Sequence, residues 1–290
     1  MVFNYDIRFR GVPQKTIDKE LLAEFIHDSS PKRIHFAGVH QNALRPGGNG
    51  VVGWLNLPFD QPFESIARSE LGLSRVVFTP RSGSSFYRLI GNQEEFDKIQ
   101  DFINKYKDIV FLRDCLDLSI ALSMYDYYPE GEESPVRTVL GQHEYEVKYE
   151  SDKKDTTADM EALVSEMQSR LEQLPFFKLA DCICAVPSSK PFMKEIISRL
   201  EGFEFEDISS SVIWSNKTDE MKDAENAERK LALIESSNLS INTNVKGKTV
   251  LLIDDMYNSG VTMQYVAMKL KEAGAKRVFG MTLCKSLSNK

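Results

Sequence analysis

The stretch that decides the fold is KTVLLIDDMYNSGVTM, residues 248–263. An apolar run from Val250 to Ile253 leads directly into Asp254 and Asp255. A short polar segment containing Gly260 follows, and the chain then turns amphipathic. An apolar run of roughly four to eight residues bounded by turn formers reads as a buried strand. The expected order is a strand over 249–253, a loop, a helix over 262–273 closed by Gly274, and a second strand in KRVFGMTLCK, 276–285. Strand–helix–strand is a βαβ unit, so the two strands should be parallel and the crossover right-handed.

Working outward, DCICAVPSS (181–189) reads as a strand running into a turn, and PFMKEIISRLEG (191–202) as the helix after it. Pro191 suits a first helical turn, where its missing N–H would have had no partner. DMEALVSEMQSRLEQL (159–174) is a long amphipathic helix behind the solvated segment SDKKDTT. Lys148 and Tyr149, at the end of RTVLGQHEYEVKY (137–149), are expected to pair within a strand. The polar segment 206–245 holds one helix-like run, TDEMKDAENAERKLALIESS, with Lys217 and Arg229 on a solvated face. This half therefore reads as an open, doubly wound parallel sheet. Such sheets bind ligands beyond the carboxyl ends of their strands. Both PSSK and DDMYNSG fall at such ends.

The first ~110 residues read as a separate α/β region by periodicity. IDKELLAEFIHD (17–28) alternates like a helix, and RIHFAGV (33–39), GVVGWLNL (50–57) and SRVVFTP (74–80) like strands. NQEEFDKIQDFINKY (92–106) is an amphipathic helix with Asn92 as its cap. The loops ALRPGGNG and TPRSGSSFYR are rich in turn formers; the first lacks the Gly-Lys-Ser/Thr ending of a phosphate loop. KDIVFLRDCLDLS connects this region to the next, giving domains over 1–110 and 118–290.

Composition narrows the function. Of 290 residues, 42% are hydrophobic and 27% charged, the balance of a globular protein. A net charge of −7 with no basic patch argues against a duplex nucleic acid. No apolar run approaches the roughly 20 residues that span a bilayer. The first residues show no signal-peptide core, so a cytoplasmic protein with no membrane partner is expected. Cys182 and Cys184 have the spacing of neither a zinc knuckle nor a redox motif, and the four histidines form no zinc pattern.

Residues 258–262, Asn-Ser-Gly-Val-Thr, lie between a strand end and a helix start. Amides there have no intrahelical partner, and the helix dipole adds partial positive charge, which makes an anion site. Gly260 lets the backbone approach an anion, and Ser259 and Thr262 add hydroxyls. Two carboxylates would repel a phosphate at the same point. They can accept hydrogen bonds from a vicinal diol or sit near a divalent cation. A ribose 5-phosphate carries both features a few ångströms apart.

VLLIDDMYNSGVTM resembles the 5-phosphoribosyl-1-pyrophosphate loop of type I phosphoribosyltransferases, closest to ComF-like proteins. Asn258-Ser259 stands where the family pattern has Thr-Thr. CICAVPSSK (182–190) resembles the pyrophosphate loop, with Ala185 in place of one proline. NKTDEMKDAENAERKLALI and HEYEVKYE resemble more loosely the charged and Lys-Tyr elements of that family.

The resemblance implies a phosphoribosyltransferase-like fold over roughly 118–288, carrying the doubly wound parallel sheet. It implies that Asp254 and Asp255 hold the ribose hydroxyls and act as the catalytic pair. They would meet Mg²⁺ only indirectly, through those hydroxyls or water. Asn258, Ser259, Gly260, Val261 and Thr262 would cradle the 5′-phosphate, and Ser188, Ser189 and Lys190 would contact pyrophosphate. The implied activity is that of a pentosyltransferase, moving the phosphoribosyl group from its pyrophosphate to an unidentified acceptor in nucleotide metabolism. Two alternatives stay open: a non-catalytic module sensing the same ligand or a nucleotide, and an effector modifying a nucleotide target. A homodimer or a protein partner would engage through the N-terminal region.

Overall fold

The computed structural model describes residues 16–27, 33–35, 44–46, 52–57, 71, 79–80, 86–106, 109–112, 114–174, 177–188, 190, 192–216 and 226–287. The chain divides into two compact units, one of residues 1–13 with 33–111, the other of 14–32 with 112–290. Residues 14–32, which the sequence reading leaves in the N-terminal region, thus group with the C-terminal half.

In the first unit, strands Leu44–Pro46, Gly53–Leu57, Phe86–Ile90 and Thr79–Pro80 pair antiparallel in that order. The helix Gln93–Tyr106 buries Ile99, Phe102, Ile103 and Tyr106 on one face. Asn92 caps it, its side-chain oxygen accepting from the Glu95 amide at 2.9 Å. Residues 36–39, 50–51, 74–78 and 81–85 of the expected strands and loops lie outside the described residues.

The second unit is mixed α/β around a largely parallel sheet. Leu118–Met124, Arg277–Lys285, Thr249–Tyr257, Cys182–Ala185 and Glu206–Asp207 lie side by side, every neighbouring pair parallel. Val250, Leu251, Leu252, Ile253, Val278, Phe279 and Met281 are fully buried. Covering a parallel sheet on both faces demands such continuous apolar runs. Each of these side chains contributes roughly 1.5–3 kcal/mol relative to exposure.

The helix Val261–Glu272 packs on this sheet, with helices Lys19–His27 and Ala227–Ser236 against it in turn. That explains why Val266, Ala267, Met268 and Leu270 are all fully buried and its apolar face wraps so far round. Gly274 follows it at φ 97°, and the Ala275 amide reaches back to the Leu270 carbonyl, a Schellman-type ending. The strand Leu118–Met124, which the sequence reading leaves at the end of a connector, is the outer partner of Arg277–Lys285 in this unit. Among the described residues no helix is long and apolar enough to cross a membrane.

Candidate functional site

The strand expected to stop at Ile253 runs on to Tyr257, because Asp254, Met256 and Tyr257 pair with Thr282, Cys284 and Lys285. Asp254 and Asp255 are therefore strand residues, and neighbours in a strand project to opposite faces. Asp255 Oδ2 lies 2.6 Å from the Lys148 ammonium, while Asp254 lies in the electrostatic field of Lys230 on the helix Ala227–Ser236. Backbone amides add to this: Asp255 N–H donates to Asp254 Oδ1 at 3.0 Å, and Met256 N–H to Asp255 Oδ1 at 2.6 Å. Burial and then the neighbouring Asp255 push the Asp254 carboxyl well above the ordinary aspartate range. Lys230 is lowered by burial, against the pull of Asp254.

Asn258 and Ser259 form the bend after the strand, and Gly260 precedes the helix at φ 73°, ψ 1°. Only a glycine adopts that left-handed conformation freely. Among the described residues no protein acceptor takes the amides of Ser259, Gly260, Val261, Thr262 or Met263; the first closed turn is Gln264 N–H to Gly260 O at 2.9 Å. Four helix-terminal donors and a dipole end are thus presented together. Asn258 is exposed and Thr262 half-buried, whereas Ser259 is 7% exposed. The Val261 side chain points into the core, so this residue offers only its amide.

The turn after Cys182–Ala185 lies beside the same strand end, since Val186 N–H donates to Ile253 O at 2.8 Å. Trp214, on the strand Val212–Trp214, donates its indole N–H to Pro187 O at 3.0 Å and stacks on Tyr265, ring centroids 6.0 Å apart. Ser188 is exposed, and its hydroxyl accepts from the Lys190 amide at 3.4 Å. Ser189 lies outside the described residues. The Lys190 ammonium donates to the Lys148 carbonyl and sits 5.0 Å from the Tyr149 ring centroid.

Lys148 and Tyr149 do not pair in a strand. They belong to a π-helix, Glu146–Glu150, that continues the helix Val139–Tyr145. Thr138 starts that helix, its hydroxyl accepting from the Gly141 amide at 3.0 Å. The Lys148 ammonium lies 3.1 Å from Glu144 Oε1 as well as 2.6 Å from Asp255. Burial opposes its charge, but Asp255 and Glu144 outweigh burial and hold it well above its ordinary value. Glu144 is pushed up by burial, which Lys148 only partly offsets.

Lys148 and Lys190 line one groove of about 500 Å³, with Lys154 and Arg199 as further cations and Asp152, Asp155 and Glu195 as carboxylates on its wall. Lys148, which the sequence reading assigned to a strand, and Lys230, which it did not single out, are both site groups. The Glu144–Lys148 spacing, an i, i+4 pair after a threonine cap, was the available signal for the first. Arg229 instead lies exposed, its amide held by the Asn226 cap, and Lys217 lies outside the described residues. All four cysteines are buried, and none is in a disulfide among the described residues. Among the described residues no three His, Cys, Asp or Glu side chains gather into a metal cage.

A scan against protein-family models matches residues 183–290 to the phosphoribosyl transferase domain. The matched segment contains both strand-end turns and covers less than half of the chain. Among solved structures, a hypoxanthine-guanine-xanthine phosphoribosyltransferase is similar at 18% identity over 44% of this chain, with TM-score 0.31. The chain covers 65% of that protein, just under two thirds of its length. A hypoxanthine-guanine phosphoribosyltransferase from Bacillus anthracis is similar at 13% identity over 45% of this chain and 80% of its own, with TM-score 0.30. No curated protein matches the chain.

Proposed function

We propose that the second unit binds 5-phosphoribosyl-1-pyrophosphate and transfers its phosphoribosyl group to a nucleophilic acceptor. The observation that carries this reading is the set of amides over 259–263, without a protein acceptor among the described residues, which open a helix a few positions after two aspartates. The family match over 183–290 supports it, since that segment spans both turns. The 5′-phosphate would take the amides with Ser259 and Thr262, and the ribose hydroxyls would donate to Asp254 and Asp255. The pyrophosphate would lie toward Ser188 and Lys190, on the side of the groove that Lys148 and Lys190 line.

In the reaction an acceptor lone pair forms a bond to the anomeric carbon as the bond to pyrophosphate breaks, and both electrons leave with pyrophosphate. Positive charge builds on the sugar ring, so fixed negative groups near the hydroxyls and cations near the leaving group favour the transition state. Asp254 Oδ2 makes no hydrogen bond among the described residues, so one carboxylate oxygen is available to a cation or its water shell. One such oxygen, without a cage, suits Mg²⁺ that arrives on the ligand. When bound there, Mg²⁺ would neutralise pyrophosphate charge.

The second reading is a sensor that binds the same ligand without turnover. Asn258-Ser259 in the loop favours it, together with the engagement of Asp255 by Lys148 and of Lys190 by the Lys148 carbonyl. Calorimetric titration with phosphoribosyl pyrophosphate, with and without Mg²⁺, combined with assay of pyrophosphate release across a panel of bases, separates the two. Binding with release supports transfer, and binding without release supports the sensor. Absence of binding defeats both.

A further inference from the structure

We infer that Lys148 is a positioning residue of this site, orienting Asp255 through its ammonium and the Lys190 turn through its carbonyl. The inference rests on the reading of the site as a ribose-phosphate pocket.

Three observations carry it. The ammonium bridges Asp255 and Glu144 at 2.6 and 3.1 Å, with the Lys148 and Asp255 side chains 18% and 19% exposed and Glu144 fully buried. Glu144 Oε2 is buried with no hydrogen-bond partner among the described residues. Such an assembly is a poor stabiliser: apolar side chains of similar volume generally serve a fold as well or better, and an orphaned buried oxygen adds a desolvation cost. It is understandable if the position of Asp255 matters more than the stability given up.

The backbone carries the second observation. Lys148 sits in a π-helical turn, a geometry concentrated at functional sites. The third is that the carbonyl of the same residue receives the Lys190 ammonium. One residue therefore touches both Asp255, assigned to the sugar, and Lys190, assigned to pyrophosphate. With Lys148 in place, Asp255 presents one fixed carboxylate orientation to a diol.

The test compares ribose 5-phosphate with its 2,3-dideoxy analogue by calorimetry on the full chain. Wild type should favour the hydroxylated sugar about tenfold, the worth of a hydrogen bond to a charged group. The Lys148→Met, Glu144→Gln variant, which leaves no unpaired buried carboxylate at 144, should lose most of that preference, keeping only the share that Asp254 supplies. Its grip on phosphate should be retained, and Lys148→Arg should recover most of the discrimination. A double variant that keeps the tenfold preference overturns the inference and leaves the site reading intact. Equal weakening toward both ligands also overturns it, because a merely structural role predicts that pattern. A wild-type protein that binds neither compound overturns the site reading and this inference with it. A crystal structure of the double variant with the Asp255 carboxylate unmoved would overturn the positioning role without reference to any ligand.

Discussion

Tyr257 lies directly against Gly260: a Cβ at position 260 would come within 2.1 Å of the tyrosine Cζ and hydroxyl oxygen. The ring cannot easily withdraw, because its hydroxyl donates to Asp114 Oδ2 at 3.0 Å and is itself fully buried. Gly260→Ala therefore suffers twice, from the clash and from a positive φ that alone costs about 1–2 kcal/mol in a residue with a Cβ. The expected loss is about 3 kcal/mol or more, read as a lower urea midpoint, together with loss of phosphate binding.

The double change Asp254→Asn, Asp255→Asn should weaken ribose 5-phosphate binding about tenfold or more, to the affinity of the dideoxy sugar, while the far-ultraviolet spectrum stays native. Calorimetry is the check. Unchanged affinity would reduce the two acids to ordinary strand residues.

Asp254 also predicts a pH dependence of the ligand-free protein. Its folded-state value is raised by burial and by Asp255, so the folded state holds a proton that the unfolded state has already released. Stability should then fall as pH rises from the ordinary aspartate value of about 4 toward the raised folded value. Asp254→Asn should flatten that slope and be the more stable protein at neutral pH. Urea melts at several pH values without Mg²⁺ measure it, and an unchanged slope in the variant would count against the raised value.

Lys148→Met alone leaves Glu144 and Asp255 without their shared cation. Breaking a buried pair in this way typically costs about 3–5 kcal/mol, and adding Glu144→Gln should return part of it. Chemical denaturation of the single and double variants gives the comparison. A single variant as stable as wild type would mean the ion set is relaxed by water.

The indole of Trp214 should report occupancy of the Pro187 turn, because its N–H donates to that carbonyl. The chain has two tryptophans, Trp54 and Trp214. Titration with phosphoribosyl pyrophosphate should change emission in Trp54→Phe and leave Trp214→Phe silent. The reverse pattern would move the ligand away from this turn.

Much of the sheet could be read locally. The runs Val250–Ile253 and Cys182–Ala185, and Gly274 after the helix, carry their own signals, and the structure has the strands and the helix there. Other features depend on distant partners. The strand continues through two acids to Tyr257 because Thr282, Cys284 and Lys285 supply the ladder, which no window around Asp254 reveals. RTVLGQHEYEVKY is rich in β-branched and aromatic residues and suggests a strand. Thr138 caps it as a helix instead, and packing against the sheet overrides propensity. The bridge from Lys148 to Asp255 joins residues more than a hundred positions apart, so its local traces were limited to the glutamate four residues earlier and the loose Lys-Tyr resemblance of HEYEVKYE.

The π-helical turn at Glu146–Glu150 carries one residue more than an α-turn would need. Deleting a single residue there would restore regular winding and keep the flanking elements nearly in phase, because the wide turn already absorbs the extra residue; the residues inside the turn would change face. The ammonium of Lys148 would then face away from the sheet edge that it now serves. This segment should accept many exchanges of side chain and no change of length, so an indel scan would find a sharp boundary where a substitution scan finds a gentle one.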